Sequence, residues 1–219
     1  MKVVPRFAAE PPHEGLPYGR LAGELAAQFL AACGRLESSG EELGEPGELL
    51  WYPERTWHGR TYVPATVLTN EGFELFGYVR YIASGQQGER GEMVATADFT
   101  EQTAERHPNW KLDICDESIG VWRGERSDAT MTLVWGRALV PGGRVATAEL
   151  GEETVDQCVL IEDRFTLIAP DDYEGELLEV RLFDGKGKLL ASESLYEQED
   201  EEEEEEGAEE GSAEEGSAA

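Results

Sequence analysis

The stretch ATMTLVWGRALV, residues 129–140, decides the fold. Met131, Leu133, Trp135 and Leu139 fall on one side, and Thr130, Thr132 and Val134 on the other. A repeat of two is the side-chain period of a strand, not of a helix. Residues 176–183 repeat it: Leu178, Val180 and Leu182 alternate with Glu179 and Arg181. Such alternation predicts an antiparallel sheet with one apolar and one wet face. Asp184-Gly185-Lys186-Gly187 follows, residues tolerant of positive φ, and then KLLASESL. That combination predicts a hairpin.

Working outward, turn residues break the chain from Leu49 to Leu195 roughly every ten positions, the rhythm of a sandwich or barrel. Strands are expected at 60–69, 73–83, 92–99, 110–115, 118–123, 129–140, 144–149, 155–161, 164–169, 176–183 and 188–195. The Gly-rich segment 85–92, GQQGERGE, is expected to be a loop. Asp98 followed by Glu101 has capping-box spacing, and His107-Pro108 would end a helix, so 99–106 is expected to make two helical turns.

Upstream the period changes. Leu21, Leu25, Phe29, Ala32, Cys33 and Leu36 recur every three or four residues, which predicts an amphipathic helix. Pro17 fits its first turn, and Ser38-Ser39-Gly40 is expected to stop it. The predicted organisation is an arm, helix and linker over 1–48, a β domain over 49–198 and a tail over 199–219. The fold class is mainly β: an antiparallel β-sandwich with one N-terminal helix, with a closed barrel as rival. The tail EDEEEEEEGAEEGSAEEGSAA has almost no apolar content and is expected to be disordered.

The chain has 219 residues, 47 acidic and 18 basic, a formal net charge of -29. The tail carries 12 acids and no base, which leaves 35 acids against 18 bases, a net of -17, on residues 1–198. Such a surface repels phosphate backbones and anionic lipid, so neither nucleic acid nor membrane is an expected partner. A protein partner is expected, and the field favours a basic one. No apolar run reaches spanning length, and the first residues do not form a signal peptide. Three cysteines at wide spacing, Cys33, Cys115 and Cys158, make neither a disulfide framework nor a redox pair. The expected compartment is the cytoplasm.

The densest aromatic segment is Trp51-Tyr52-Pro53-Glu54-Arg55-Thr56-Trp57-His58-Gly59-Arg60-Thr61-Tyr62. Trp51, Tyr52, Arg55, Trp57, His58 and Tyr62 are the candidate ligand- or partner-binding residues, because Trp, Tyr and Arg carry most binding energy at interfaces. The plainer reading is that these rings fasten the segment to the sheet.

No catalytic residue, metal site or cofactor is expected. Cys115 sits among Asp113, Asp116 and Glu117, whose charges disfavour a thiolate. His13, His58 and His107 lie on separate segments. The acidic stretches 113–117 and 171–176 lack the alternate ligand spacing of a calcium loop and read as solvated turns. Phosphate-loop, nucleophile-elbow and zinc-protease motifs are absent from the sequence. Two functional classes follow. One is a non-catalytic protein-interaction module aided in association or solubility by its Glu-rich tail. The other is a small-molecule-binding barrel whose Trp57, Tyr62, Trp110, Trp122 and Trp135 line a cavity.

Overall fold

A computed structural model describes residues 15–38, 40–82, 91–124 and 127–196. The predicted arm, Gly-rich loop and acidic tail fall wholly or mostly outside them. The described residues form one helix and twelve strands in antiparallel sheets that do not close into a barrel.

Helix α1 (Gly19–Cys33) buries Leu25, Phe29, Ala32 and Cys33, the predicted stripe. It ends earlier than Ser38. Gly34 N–H bonds to Leu30 O (2.9 Å), and Arg35 and Leu36 then make tighter turns back to Ala32 and Cys33. Glycine is the weakest ordinary helix former, which fits a stop there.

The first sheet holds β1 (Pro46–Trp51), β2 (Arg55–Trp57), β3 (Arg60–Thr69), β4 (Glu74–Ile82) and β5 (Val94–Thr100). Strands β1 and β2 both pair with β3. The linker predicted up to residue 48 therefore already contains strand from Pro46. Pro64 explains the break between β1 and β2. Its carbonyl accepts from Tyr52 N–H (3.0 Å), and with no N–H of its own it cannot return the bond.

The second sheet is β6 (Leu112–Arg123), β7 (Asp128–Ala138) and β10 (Arg164–Asp171), in the order β10-β7-β6. The third is β8 (Gly143–Leu150), β9 (Glu153–Val159), β11 (Leu178–Asp184) and β12 (Leu189–Ser194), in the order β12-β11-β8-β9. The predicted hairpin joins β11 to β12, with Asp184 Oδ1 accepting from Lys186 N (2.7 Å) and Lys188 N (2.9 Å).

Three apolar layers separate four slabs. Between α1 and the first sheet lie Leu25 and Phe29 with Val63, Val67, Leu75 and Val79. Between the first and second sheets lie Tyr52, Trp57, Tyr62, Tyr78, Met131, Leu133, Trp135 and Ile168. Between the second and third lie Leu112, Val134, Phe165 and Leu167 with Ala146, Leu178, Val180 and Leu182. The sandwich is thus three sheets deep.

One-sided wetting was the wrong reading of 129–140. All eight residues of β10 are buried, Thr166 among them at 0% exposure, and Thr132, placed on the wet face, is 3% exposed. Two threonines in a strand fit either face, so the alternation alone could not reveal a second covering sheet. For 176–183 the reading holds: Leu178, Val180 and Leu182 are buried, Glu179 and Arg181 only partly.

Two further expectations fail. The segment 99–106 is not helical: β5 runs to Thr100, and Phe99 packs edge-on against Phe73 (5.9 Å). Asp98 Oδ1 accepts from the adjacent Phe99 N–H (2.8 Å) rather than capping a helix. A single turn follows, with Arg106 N (3.0 Å) and His107 N (3.1 Å) bonded to Thr103 O. Residues 113–117 are not a turn either. They lie inside β6, a single strand with an irregularity between Ser118 and Gly120 that accounts for the predicted break.

Candidate functional site

The aromatic segment 51–62 is spread through the layers. Trp51 packs half-buried on the helix side of the first sheet, while Tyr52 lies on the opposite side, its hydroxyl 3.2 Å from Thr66 Oγ1. Trp57 and Tyr62 are buried between the first two sheets, and Tyr62 meets Tyr78 edge to face at 5.4 Å. His58 is exposed, at the two-residue turn His58-Gly59 that closes β2 onto β3. Both turn residues have positive φ, 51° and 71°, as a tight hairpin requires.

Arg55 is 1% exposed and ion-paired with Asp156 of β9. Asp156 Oδ2 also accepts from Ile168 N–H of β10 (2.9 Å). One carboxylate thus ties the edge strands β2, β10 and β9 of all three sheets. Arg164 of β10 adds a second tie, donating to Trp51 O of β1 (2.7 Å). Trp51, Tyr52, Arg55, Trp57 and Tyr62 therefore pack within or between the layers, His58 is exposed at a turn, and the six do not face one hollow. The tryptophans do not converge on one hollow: Trp122 packs on Tyr173 (5.4 Å) at the margin of the Trp57–Trp135 layer, and Trp110 stacks on His107 (4.5 Å) away from it.

The opposite side of the stack is open. Among the described residues, β6 and β12 are terminal strands of the second and third sheets without a further strand beside them, at the end away from β10 and β9. Between them lies a cleft of about 800 Å³. Trp110, Leu112 and Ile114 line one wall, and Leu177, Leu195 and Tyr196 the other. Among the described residues its charged lining side chains are Glu193 and Glu179, the latter ion-paired with Arg181 (2.7 Å). Tyr196 is fixed at one end, its hydroxyl donating to Asp171 Oδ2 (2.5 Å), and Asp171 Oδ1 accepts from Leu178 N–H (3.1 Å). The acidic stretch 171–176 is thus a latch: a tight turn with Asp172, Glu174 and Gly175 at positive φ.

A smaller cavity, about 270 Å³, opens between the first and second sheets. Glu74 begins β4, and Asp113 of β6 stands beside it, with Arg137 across the strand pair. Burial, then the Asp113 charge, pushes the Glu74 carboxyl up to about 7. Burial also raises Asp113, against the pull of Arg137. Cys115 Sγ lies 3.9 Å from Glu74 Oε1 and its thiol is pushed well up, first by burial and then by Glu74, Asp113 and Asp116. Burial outweighs the flanking charges expected to act on this thiol, and Glu74, distant in sequence, was not foreseen as a contributor. Nothing in the local sequence could have placed it there; the β4–β6 approach is a tertiary fact. Cys33 and Cys158 are buried core residues, with burial raising Cys33 to about 11. Among the described residues no three His, Cys, Asp or Glu side chains gather closely enough to hold a metal ion. No helix among them is long and apolar enough to cross a membrane.

Compared with known proteins, the chain matches no family model, no curated protein and no solved structure.

Proposed function

We propose that this chain is a non-catalytic interaction module that takes an extended, basic segment of a protein partner into the β6–β12 cleft. The observation that carries the reading is a cleft with apolar side chains on both walls, lined by the terminal strands β6 and β12, whose charged lining residues among those described are carboxylates. Unpaired edges offer N–H and C=O groups to an added strand. The apolar walls suit alternate side chains of that strand, since successive residues point to opposite faces. Glu193 selects Lys or Arg for the remaining positions and rejects acidic segments, while Glu179 is ion-paired with Arg181 (2.7 Å).

The Glu-rich tail follows directly from the strand that forms one cleft edge. It steers basic partners toward the cleft and keeps the free chain soluble. Three unpaired cysteines suit a reducing, cytoplasmic setting.

Selection from a random extended-peptide library on the immobilised full chain tests this. Enriched peptides should alternate apolar residues with Lys or Arg. Their affinity should fall at least tenfold in Leu177→Asp, a change at a residue 48% exposed that leaves the core intact. Enrichment of acidic peptides, or equal binding to Leu177→Asp, would overturn the proposal.

A further inference from the structure

The Glu74–Asp113 cavity lies between different sheets from the peptide cleft and is independent of it. Asp113 is only 9% exposed, lines the cavity, and among the described residues its carboxylate accepts no hydrogen bond and forms no ion pair. Buried carboxylates are normally paired or hydrogen-bonded, so one aimed unpartnered into a hollow marks a place for a donor. Glu74 beside it has only the weak Cys115 thiol contact. Arg137 lines the same cavity; its charge favours the ionised form of both acids, but among the described residues it makes no ion pair or hydrogen bond with either.

The rest of the cavity defines the donor. Leu50 and Leu68 give an apolar wall, and Thr66 and Thr103 supply hydroxyls. Glu48 and Glu105 are exposed carboxylates at the mouth. Four carboxylates against the single Arg137, two inside and two exposed, with Leu50 and Leu68 between them, suit a molecule with a cation at each end. Too few ligand groups converge for a chelated metal ion. The volume is below that of typical drug-sized pockets, roughly 300–1,000 Å³.

We propose that this cavity binds a short aliphatic diamine. One ammonium sits between Asp113 and Glu74, the methylenes lie along Leu50 and Leu68, and the second ammonium meets Glu48 and Glu105. Binding is coupled to protonation, because a cation favours the ionised form of its neighbours. The charged or titratable groups facing Glu74 are Asp113, Cys115, Tyr52 and Arg137, with Glu48 and Glu105 at the mouth. Glu74 changes charge near neutrality, so the diamine should bind more tightly as pH rises through about 7 and should release a proton from Glu74 below it.

Titration calorimetry of the full chain with putrescine tests the proposal, at about 0.15 M salt to suppress diffuse attraction to the acidic surface. One saturable site is expected, with affinity rising between pH 6 and pH 8. Its heat below pH 7 should depend on the buffer's ionisation enthalpy. n-Butylamine should bind more weakly and n-butanol not at all. Asp113→Asn should lower affinity at least tenfold, Glu74→Gln should flatten the pH dependence, and the remote Glu153→Gln should change neither. If Asp113→Asn does not fold, Glu105→Gln decides: it should weaken putrescine and leave n-butylamine unchanged. Equal binding by n-butanol, multiple weak sites, or insensitivity to a folded Asp113→Asn or to Glu105→Gln would overturn it.

Discussion

Arg55→Met removes the cation that ties three sheet edges together. The guanidinium is 1% exposed, and the Asp156 side chain 10%. After the change a buried carboxylate keeps only the Ile168 N–H as a described donor from another strand. Burial raises the Asp156 carboxyl and Arg55 is the strongest opposing influence, so its loss drives the group further toward the protonated form. Breaking one half of a buried ion pair costs about 3–5 kcal/mol. For a chain of this size that lowers Tm by on the order of 10 °C. The loss should shrink as pH falls, because a proton then neutralises the stranded carboxylate. Replacing both partners, Arg55→Met with Asp156→Leu, removes the buried charge altogether and should recover most of the loss. What remains is about 1–3 kcal/mol for the Ile168 N–H left without its acceptor. Urea unfolding followed by tryptophan fluorescence is the assay, since Trp51 and Trp57 flank Arg55 in sequence. A loss below about 1 kcal/mol in the single variant, or a double variant no better than the single, would refute the reasoning.

Three further predictions concern other parts of the stack. Gly136→Ala should destabilise by about 1–3 kcal/mol or more in thermal or urea unfolding, because the new Cβ would lie 2.3 Å from Asp113 O and 2.9 Å from Phe165 Cζ. His58→Val should cost about 1–2 kcal/mol, because a β-branched residue resists the positive φ that His58 adopts, and His58→Asn should cost less on the same unfolding curve. The folded Glu74 carboxyl titrates near 7, above an ordinary glutamate, so the native state holds an extra proton between about pH 4.5 and 7 and loses stability as pH rises through that window. Glu74→Gln should therefore gain on the wild type toward pH 8, by up to roughly 3 kcal/mol, in urea unfolding at several pH values; a difference that does not vary with pH would contradict this.

The local alternation of β7 and β11 and the stripe of α1 were legible because burial on at least one face writes a period into the sequence. Sheet depth was not, since Thr132 and Thr166 fit a wet face and a covered one equally well. The helix expected at 99–106 failed because Phe99 gains more from Phe73 and strand pairing than Asp98 gains from capping. In the segment 51–62 composition drew attention to side chains that act by fastening layers, Arg55 most of all. Its partner Asp156 lies 101 residues away, a pairing no local spacing encodes. Glu74 and Asp113 meet through the approach of two sheets in the same way. The cleft depends on which strand edges stay unpaired, which is a property of sheet order rather than of any one strand.

The account turns on a stack clasped along the β2–β10–β9 edge and open along β6 and β12. Amide hydrogen exchange of the full chain, with and without a saturating selected peptide, tests this most directly. New protection should concentrate in residues 112–123 and 189–194, with little change in 55–57 and 153–159. Protection centred on 51–62, or none along β6 and β12, would contradict it.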